Sequence, residues 1–294
     1  MDLEEKIRRA RAAREPLIRS GQSTAYRLFH SVADGVPGLV IDQWAGVLIV
    51  QFHSGQPRAI EDESRPSLER LRQELNARAV YRKIFLPDRA HVPPEVGAMH
   101  VTSQPWLGDP IEPEFSIVEN GLSFLIRPYD GFSVGLFLEH RDNRRRIREL
   151  ARGRRVLNAF SYTCAFSVAA AAGGARSVAS VDLSRRYLEW GKRNFEANHI
   201  DTTGHLFFCS DVLDFYRRAR RQGRRFDLVI LDAPTFARMR RPKRTFVLEQ
   251  DLHRLVTGAL DLLDPGGLLL LSTNARQISP ERLEQELHAA CASR

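Results

Sequence analysis

From residue 154 onward the chain alternates apolar strands with amphipathic helices, and no other feature narrows its fold as much. RRVLNAF (154–160) reads as a strand and SVAAAAGG (167–174) as a helix closed by glycines. SVASVDL (177–183) is a strand and SRRYLEWGKRNFEAN (184–198) a helix. HLFFCSD (205–211) precedes a helix beginning VLDFYRRARR, and FDLVILD (226–232) precedes a helix near 246–263. DPGG (264–267) turns the chain into LLLLSTN (268–274), after which Ser279 caps a last helix with Pro280 in its first turn. Strands that are apolar throughout and separated by helices belong to a parallel sheet covered on both faces. Right-handed crossovers make such a sheet doubly wound, with its ligand at the carboxyl ends of the strands.

The residues before this pattern are organised differently. Residues 1–20 read as a basic helix carrying Arg8, Arg9, Arg11, Arg14 and Arg19. TAYRLFH (24–30) and GLVIDQWAGVLIVQFH (38–53) read as strands, the second a hairpin turning near Ala45 and Gly46. An amphipathic helix is expected over 66–79, with Pro66 near its start and Leu68, Leu71 and Leu75 as its apolar stripe, followed by a strand at 80–85. The stretch 86–114 holds six prolines and marks the boundary. The reading is therefore a small α+β domain over 1–105 and a doubly wound α/β domain over 106–294. FSIVENGLSFLIRP (115–128) is a hairpin turning at Asn120-Gly121, the strongest short turn signal for one.

Composition excludes several classes. With 43% hydrophobic and 27% charged residues the chain is globular rather than disordered. Cys164, Cys209 and Cys291 stand far apart, which speaks against a disulfide framework and a structural zinc site, so no metal is expected. No signal peptide and no run of roughly 20 apolar residues is present, so a cytoplasmic protein without a membrane partner is expected. The net charge is +8, and only four of the 44 basic residues are lysine. Arginine grips phosphate through a planar bidentate fork, which suits a nucleic-acid partner, although a GC-rich coding sequence would enrich arginine as well. Oligomeric state is not legible.

The strand ends narrow the ligand. The turn Asn158-Ala159-Phe160-Ser161-Tyr162-Thr163-Cys164-Ala165 has no glycine, whereas a dinucleotide fold needs glycines there to bring amides onto a pyrophosphate. A nucleoside with a charged tail needs only a polar turn. Asp182, closing the second strand, is placed to accept both ribose hydroxyls, and Asp211, closing the third, an adenine amino group. Each aspartate alone can equally be the cap of the helix that follows it. Taken together, with the Asp232-Ala233-Pro234-Thr235-Phe236 turn on the fourth strand, they favour an adenosyl ligand.

VLNAFSYTCAFSVAAAAGGARSVASVDLS, FDLVILDAPTF and GLFLEHRDNRR together resemble the bacterial methyltransferases that modify 23S ribosomal RNA on cytosine C5 or guanine N7. The likeness runs over about 20–290, and TAYRLFHSVADGVPGLVIDQWAG is similar to the small domain that precedes the catalytic one in the cytosine branch. The resemblance implies a Rossmann-like class I fold, S-adenosyl-L-methionine as cofactor and ribosomal RNA as partner. It implies cofactor contacts from Phe137, Arg141, Asn158, Phe160, Ser161, Tyr162, Thr163, Asp182, Leu183, Asp211 and Asp232. Asp232, Pro234 and Phe236 match the family's Asp-Pro-Pro turn, which holds the target base. Ala233 departs from its first proline, and Phe236 is either a stacking platform or core. The family's upstream RNA-binding PUA domain and its closing sixth and seventh strands are expected to be missing.

The cytosine branch carries a cysteine after the fifth strand, where this chain reads Ser272-Thr273-Asn274. A carbon acceptor needs such a thiolate; a nitrogen acceptor attacks with its own lone pair. That turn, the Asp-x-Pro-Thr-Phe turn and the Phe246 to Asp251 segment look more like the guanine-N7 branch. Arg238, Arg240, Arg241, Lys243 and Arg244 follow the base-holding turn and are expected to guide the RNA backbone, while the charge run at 217–225 reads as a solvated helix end. Methylation of a small molecule or a protein, or RNA binding with weak catalysis, remain the alternatives.

Overall fold

A computed structural model of the chain describes residues 2–53, 57–86, 94–239, 244–275 and 277–292. The chain forms two compact units, Met1–Arg141 and Asp142–Arg294. In the first, helices α1 (Leu3–Ala13) and α2 (Glu15–Arg19) replace the single helix expected over 1–20. The break falls at Arg14, before Glu15 and Pro16, where a proline ring crowds the helical backbone preceding it. Its arginines are largely spoken for. Arg14 grips Asp34 with two bonds of 2.8 and 2.6 Å, Arg19 pairs with Glu15 at 2.7 Å, and Arg8 pairs with Glu5.

Strands β1 (Ala25–His30), β2 (Leu39–Trp44), β3 (Val47–His53), β4 (Ala79–Phe85) and β5 (Leu107–Gly108) form one sheet in that order. All neighbours are antiparallel except β3 and β4, which the crossover helix α3 (Pro57–Glu74) joins in parallel. The β2–β3 turn has Ala45 at φ 45° and Gly46 at φ 86°, the left-handed pair that a two-residue hairpin requires. Helix α3 starts earlier than 66, and Pro66 lies inside it. Leu68 and Leu71 are buried against Leu28, Leu48 and Val80, and that packing outweighs the hydrogen bond a proline cannot donate. After the short helix α4 (Pro94–Met99) comes the hairpin β6 (Phe115–Glu119) and β7 (Leu122–Ile126), turning at Asn120 and Gly121 as expected.

That hairpin belongs to the first unit, so the partition falls after Arg141 and not after 105. The reason is backbone pairing. Thr24 N donates to Val118 O at 2.9 Å, Val118 N to Thr24 Oγ1 at 2.9 Å, and Asn120 N to Gln22 O at 2.7 Å.

The second unit begins with α5 (Asp142 to Leu150 of the helix Arg141–Leu150), which the arginine-rich sequence concealed. There follow β8 (Arg155–Ala159), α6 (Ala165–Ala172), β9 (Ser177–Asp182), α7 (Arg185–Glu196), β10 (Leu206–Cys209), α8 (Val212–Arg221) and β11 (Phe226–Ala233). A ribbon of β12 (Phe236–Met239) and β13 (Arg244–Val247) leads into α9 (Leu248–Leu262), β14 (Leu263–Thr273) and α10 (Pro280–Ala292). The five-stranded sheet runs β10-β9-β8-β11-β14, parallel throughout. Strand alternation divides its side chains between two cores. Val156, Val178, Leu228 and Ile230 face Ile147, Phe166 and Ala170, while Leu157, Val181, Val229 and Leu231 face Phe215, Leu255 and Leu262.

At the amino ends of the strands Arg155 acts as a clamp. Its amide donates to Asp227 Oδ2 at 2.7 Å, its guanidinium reaches Asp227 Oδ1 at 2.7 Å, and it also pairs with Asp264. These bonds hold the Asp227 carboxyl below the usual carboxylate range. Among the described residues no helix is long and apolar enough to cross a membrane.

Helices α8 and α9 meet where Gly258 lies against Tyr216; a Cβ there would stand 2.5 Å from the ring. Gly258→Ala should therefore destabilise the fold by about 1–3 kcal/mol, read as a lower urea midpoint, and an unchanged midpoint would contradict the close packing.

Candidate cofactor and base site

The turn between β8 and α6 is built from strained backbone. Phe160, Tyr162 and Cys164 have φ of 58°, 50° and 61°, and non-glycine residues in that region cost on the order of 1–3 kcal/mol each. The surroundings hold them there. Ser161 N donates to Val181 O at 2.9 Å, Tyr162 N to Asp182 Oδ2 at 2.9 Å, and Cys164 N to Ser161 O at 2.8 Å. Thr163 is fully buried and its carbonyl accepts from Asn194 Nδ2 at 2.9 Å. Below the turn Asn158 Nδ2 donates to Ser167 Oγ at 2.8 Å, and Ser167 in turn bonds Ser180 at 2.8 Å. The Oδ1 of Asn158 is buried at the base of the turn with no hydrogen-bond partner among the described residues. Helix α7 closes directly on the turn: a Cβ at Gly191 would lie 2.4 Å from Cys164 Sγ.

Asp182 ends β9, and it is not the helix cap. Its Oδ1 accepts from Ser184 N at 2.8 Å while its Oδ2 accepts from Tyr162 N, and Ser184 caps α7. Burial raises its carboxyl above the ordinary range, against the lowering effect of the two amides. Each oxygen keeps a lone pair for a further donor. Leu183 beside it is exposed and apolar. Asp211 does cap its helix, Oδ1 accepting from Asp214 N at 3.0 Å, and is largely buried.

The ends of β11 and β14 form a second lip. Ser272 Oγ donates to Asp232 Oδ1 at 2.8 Å, and Thr235 Oγ1 donates to Asn274 Oδ1 at 3.0 Å. Pro234 stands between these two ties, and the Thr235 carbonyl accepts from Leu248 N at 3.1 Å, fixing the turn to the start of α9. Phe236 is 53% exposed, which decides its alternative: the ring is on the surface and not in the core. Sequence reading missed Asn274 as a member of this lip, because only the β11–β14 register, with Asp232 opposite Ser272, brings it level with Thr235.

Other expected residues are not gathered here. Phe137 precedes a short 3₁₀ turn (Leu138–His140) and Arg141 follows it, both in the first unit. Arg238 and Arg244 lie on the β12–β13 ribbon with their own side chains outside those described, and Arg240, Arg241 and Lys243 lie outside the described residues. Two other arginines of the 141–155 cluster serve the fold: Arg144 is buried over the Phe166 ring at 5.9 Å, and Arg155 is the clamp already described.

Strained turn, strand-end aspartate and parallel order together define a nucleoside-binding α/β unit, and comparison with known proteins gives its family. Residues 26–293 match the model of the S-adenosylmethionine-dependent methyltransferase family. A ribosomal RNA large subunit methyltransferase of Deinococcus radiodurans is 32% identical over 289 residues, 98% of this chain and 69% of that protein. Ribosomal RNA large subunit methyltransferase K of Neisseria meningitidis is 42% identical over 176 residues, 60% of this chain, which spans 50% of its length. A crystal structure described as a methyltransferase complexed with SAH superposes with a TM-score of 0.87 at 32% identity, covering 98% of this chain and 71% of that one. The chain belongs to the S-adenosylmethionine-dependent methyltransferase family, and its cofactor is S-adenosylmethionine.

Burial pushes the Cys164 thiol up to about 12, whereas Cys209 and Cys291 are exposed. Titration of the native protein with an aromatic disulfide at mildly alkaline pH should find two prompt thiols, the third appearing only on unfolding; three prompt thiols would refute the closed turn.

Proposed function

We propose that the chain methylates guanine N7 in large-subunit ribosomal RNA. The observation that carries the choice of atom is the lip at β11 and β14, which presents Asp232, Ser272, Thr235 and Asn274 and no thiol. Cys164 is buried and protonated, Cys209 ends β10, three strand spacings or roughly 14 Å from β11, and Cys291 is on α10. Carbon methylation at cytosine C5 would need a thiolate where none stands. The names of the Deinococcus and Neisseria relatives support ribosomal RNA as the substrate class.

The site suits the cofactor. Asp182 would accept from the ribose hydroxyls, Leu183 would cover one face of the adenine, and Asp211 would accept from its amino group. The Phe160 to Thr163 turn would enclose the methionyl tail, with buried Asn158 supporting the turn from below through Ser167. Phe137 and Arg141 join them on the strength of the resemblance alone. When bound, S-adenosylmethionine supplies an electrophilic methyl group. The chain contributes alignment: Phe236 stacks on the extruded base, and the Pro234 turn holds its edge while the Asp232 carboxylate offsets the positive charge that N7 acquires. No general base is required, because guanine N7 carries no proton. Arg238, Arg240, Arg241, Lys243 and Arg244 contact the phosphate backbone.

Asp182→Ala should weaken cofactor binding about 10- to 100-fold by calorimetry, consistent with losing hydrogen bonds to a charged acceptor. In the unaltered protein affinity should fall as pH drops through the raised Asp182 pKa, at a higher pH than an ordinary carboxylate would give, because only the ionised form accepts from both hydroxyls. Affinity flat into acid would remove Asp182 from the site. Reversing the charge at Arg240 and Arg241 should weaken RNA binding and shallow its salt dependence by roughly one unit of slope per lost phosphate contact, with cofactor affinity unchanged; equal RNA affinity would sink the backbone assignment.

A further inference from the structure

Resting on the guanine reading, we propose that Asn274 is the residue that selects the base, donating from its amide nitrogen to O6 of the guanine whose N7 is methylated. The tie between Thr235 and Asn274 is what directs it. The Thr235 hydroxyl donates to Asn274 Oδ1 at 3.0 Å, and Thr235 is itself fixed through its carbonyl to Leu248 N. An amide whose oxygen is taken by an internal donor turns its nitrogen, with two N–H groups, the other way. Asn274 is exposed at the carboxyl end of the sheet, on the lip that carries Asp232 and the exposed Phe236 ring.

A fixed donor beside the methyl acceptor separates the bases by their neighbouring group. In guanine the atom next to N7 is the acceptor O6. In adenine the neighbour of N7 is the N6 amino group, and in cytosine the neighbour of C5 is the N4 amino group, both donors. Among these three bases Asn274 therefore meets a partner only in guanine, and leaves two donors facing each other in adenine and cytosine. A side-chain amide that was free to rotate would accept either arrangement, so the Thr235 hydroxyl is the positioning group behind the selection.

The test uses the full chain and large-subunit ribosomal RNA. Nucleoside mass spectrometry of RNA methylated by the unaltered protein first identifies the product and its position. RNA is then assembled by ligation with guanosine or 2,6-diaminopurine riboside, which carries an amino group in place of O6, at that position alone. The unaltered protein should favour guanosine by about 10- to 100-fold in kcat/KM, the range of one donor left unpaired. Asn274→Ala should lower activity on guanosine and erase the preference. Asn274→Asp, which presents an acceptor in the same shape, should reverse it, and Thr235→Val should narrow it. All three variants should bind S-adenosylmethionine with unaltered affinity, showing that the fold and cofactor site persist. A preference kept intact in Asn274→Ala and Asn274→Asp overturns the proposal. A methylcytosine product from the unaltered protein overturns the guanine reading instead, before any variant is made.

Discussion

One carboxylate holds two turns. Asp182 accepts Tyr162 N with one oxygen and Ser184 N with the other, so the turn after β8 and the turn after β9 share a single anchor. The first turn has three residues in the left-handed region, a conformation that persists only where its surroundings over-determine it. Asp182 supplies one constraint, the Asn158–Ser167–Ser180 chain a second from below, and Gly191 a third by letting α7 close on Cys164. The turn is thus shaped before any ligand arrives, and the carboxylate that shapes it keeps a lone pair on each oxygen for a further donor.

The strands and helices of the second unit were legible because each has an unambiguous period. β8, β9 and β11 are apolar on both faces, and the strong turns at Ala45-Gly46 and Asn120-Gly121 announce themselves by residue type. What escaped had no such signal. Helix α5 offers only Ile147 and Leu150 as apolar residues among its arginines, so no repeating apolar stripe announces it. The β12–β13 ribbon is four residues a strand and interrupted by Arg and Pro, where no apolar alternation develops. Pro66 marks a helix start in most sequences, and only the tertiary burial of Leu68 and Leu71 keeps it interior. The boundary between units was misplaced because a backbone bridge between Thr24 and Val118 leaves no trace in composition.

The candidate site was read with similar unevenness. Aspartates at successive strand ends point to a nucleoside whatever their local duties, yet the two proved different: Asp211 is spent partly on its own helix, and Asp182 on its neighbours' backbones. For Phe236, exposure removes the core reading, a distinction that residue type alone does not carry. Asn274 stood in the sequence as part of a turn that lacks the cytosine branch's cysteine and looks like the guanine-N7 branch, with no role for its own side chain. Its tie to Thr235 crosses 39 positions of sequence and exists only through strand register.

The Arg155 clamp joins β8, β11 and the start of β14 at their amino ends, opposite the two lips. The other rim has ties of its own, Ser272 to Asp232 and Thr235 to Asn274, with an unbroken ladder between from Leu228–Leu268 to Ala233–Thr273. Neighbouring strands fastened at both ends and laddered between them cannot slide by a residue without breaking charge pairs at one rim and hydroxyl bonds at the other. Register is thereby written twice, once in ions and once in neutral hydrogen bonds.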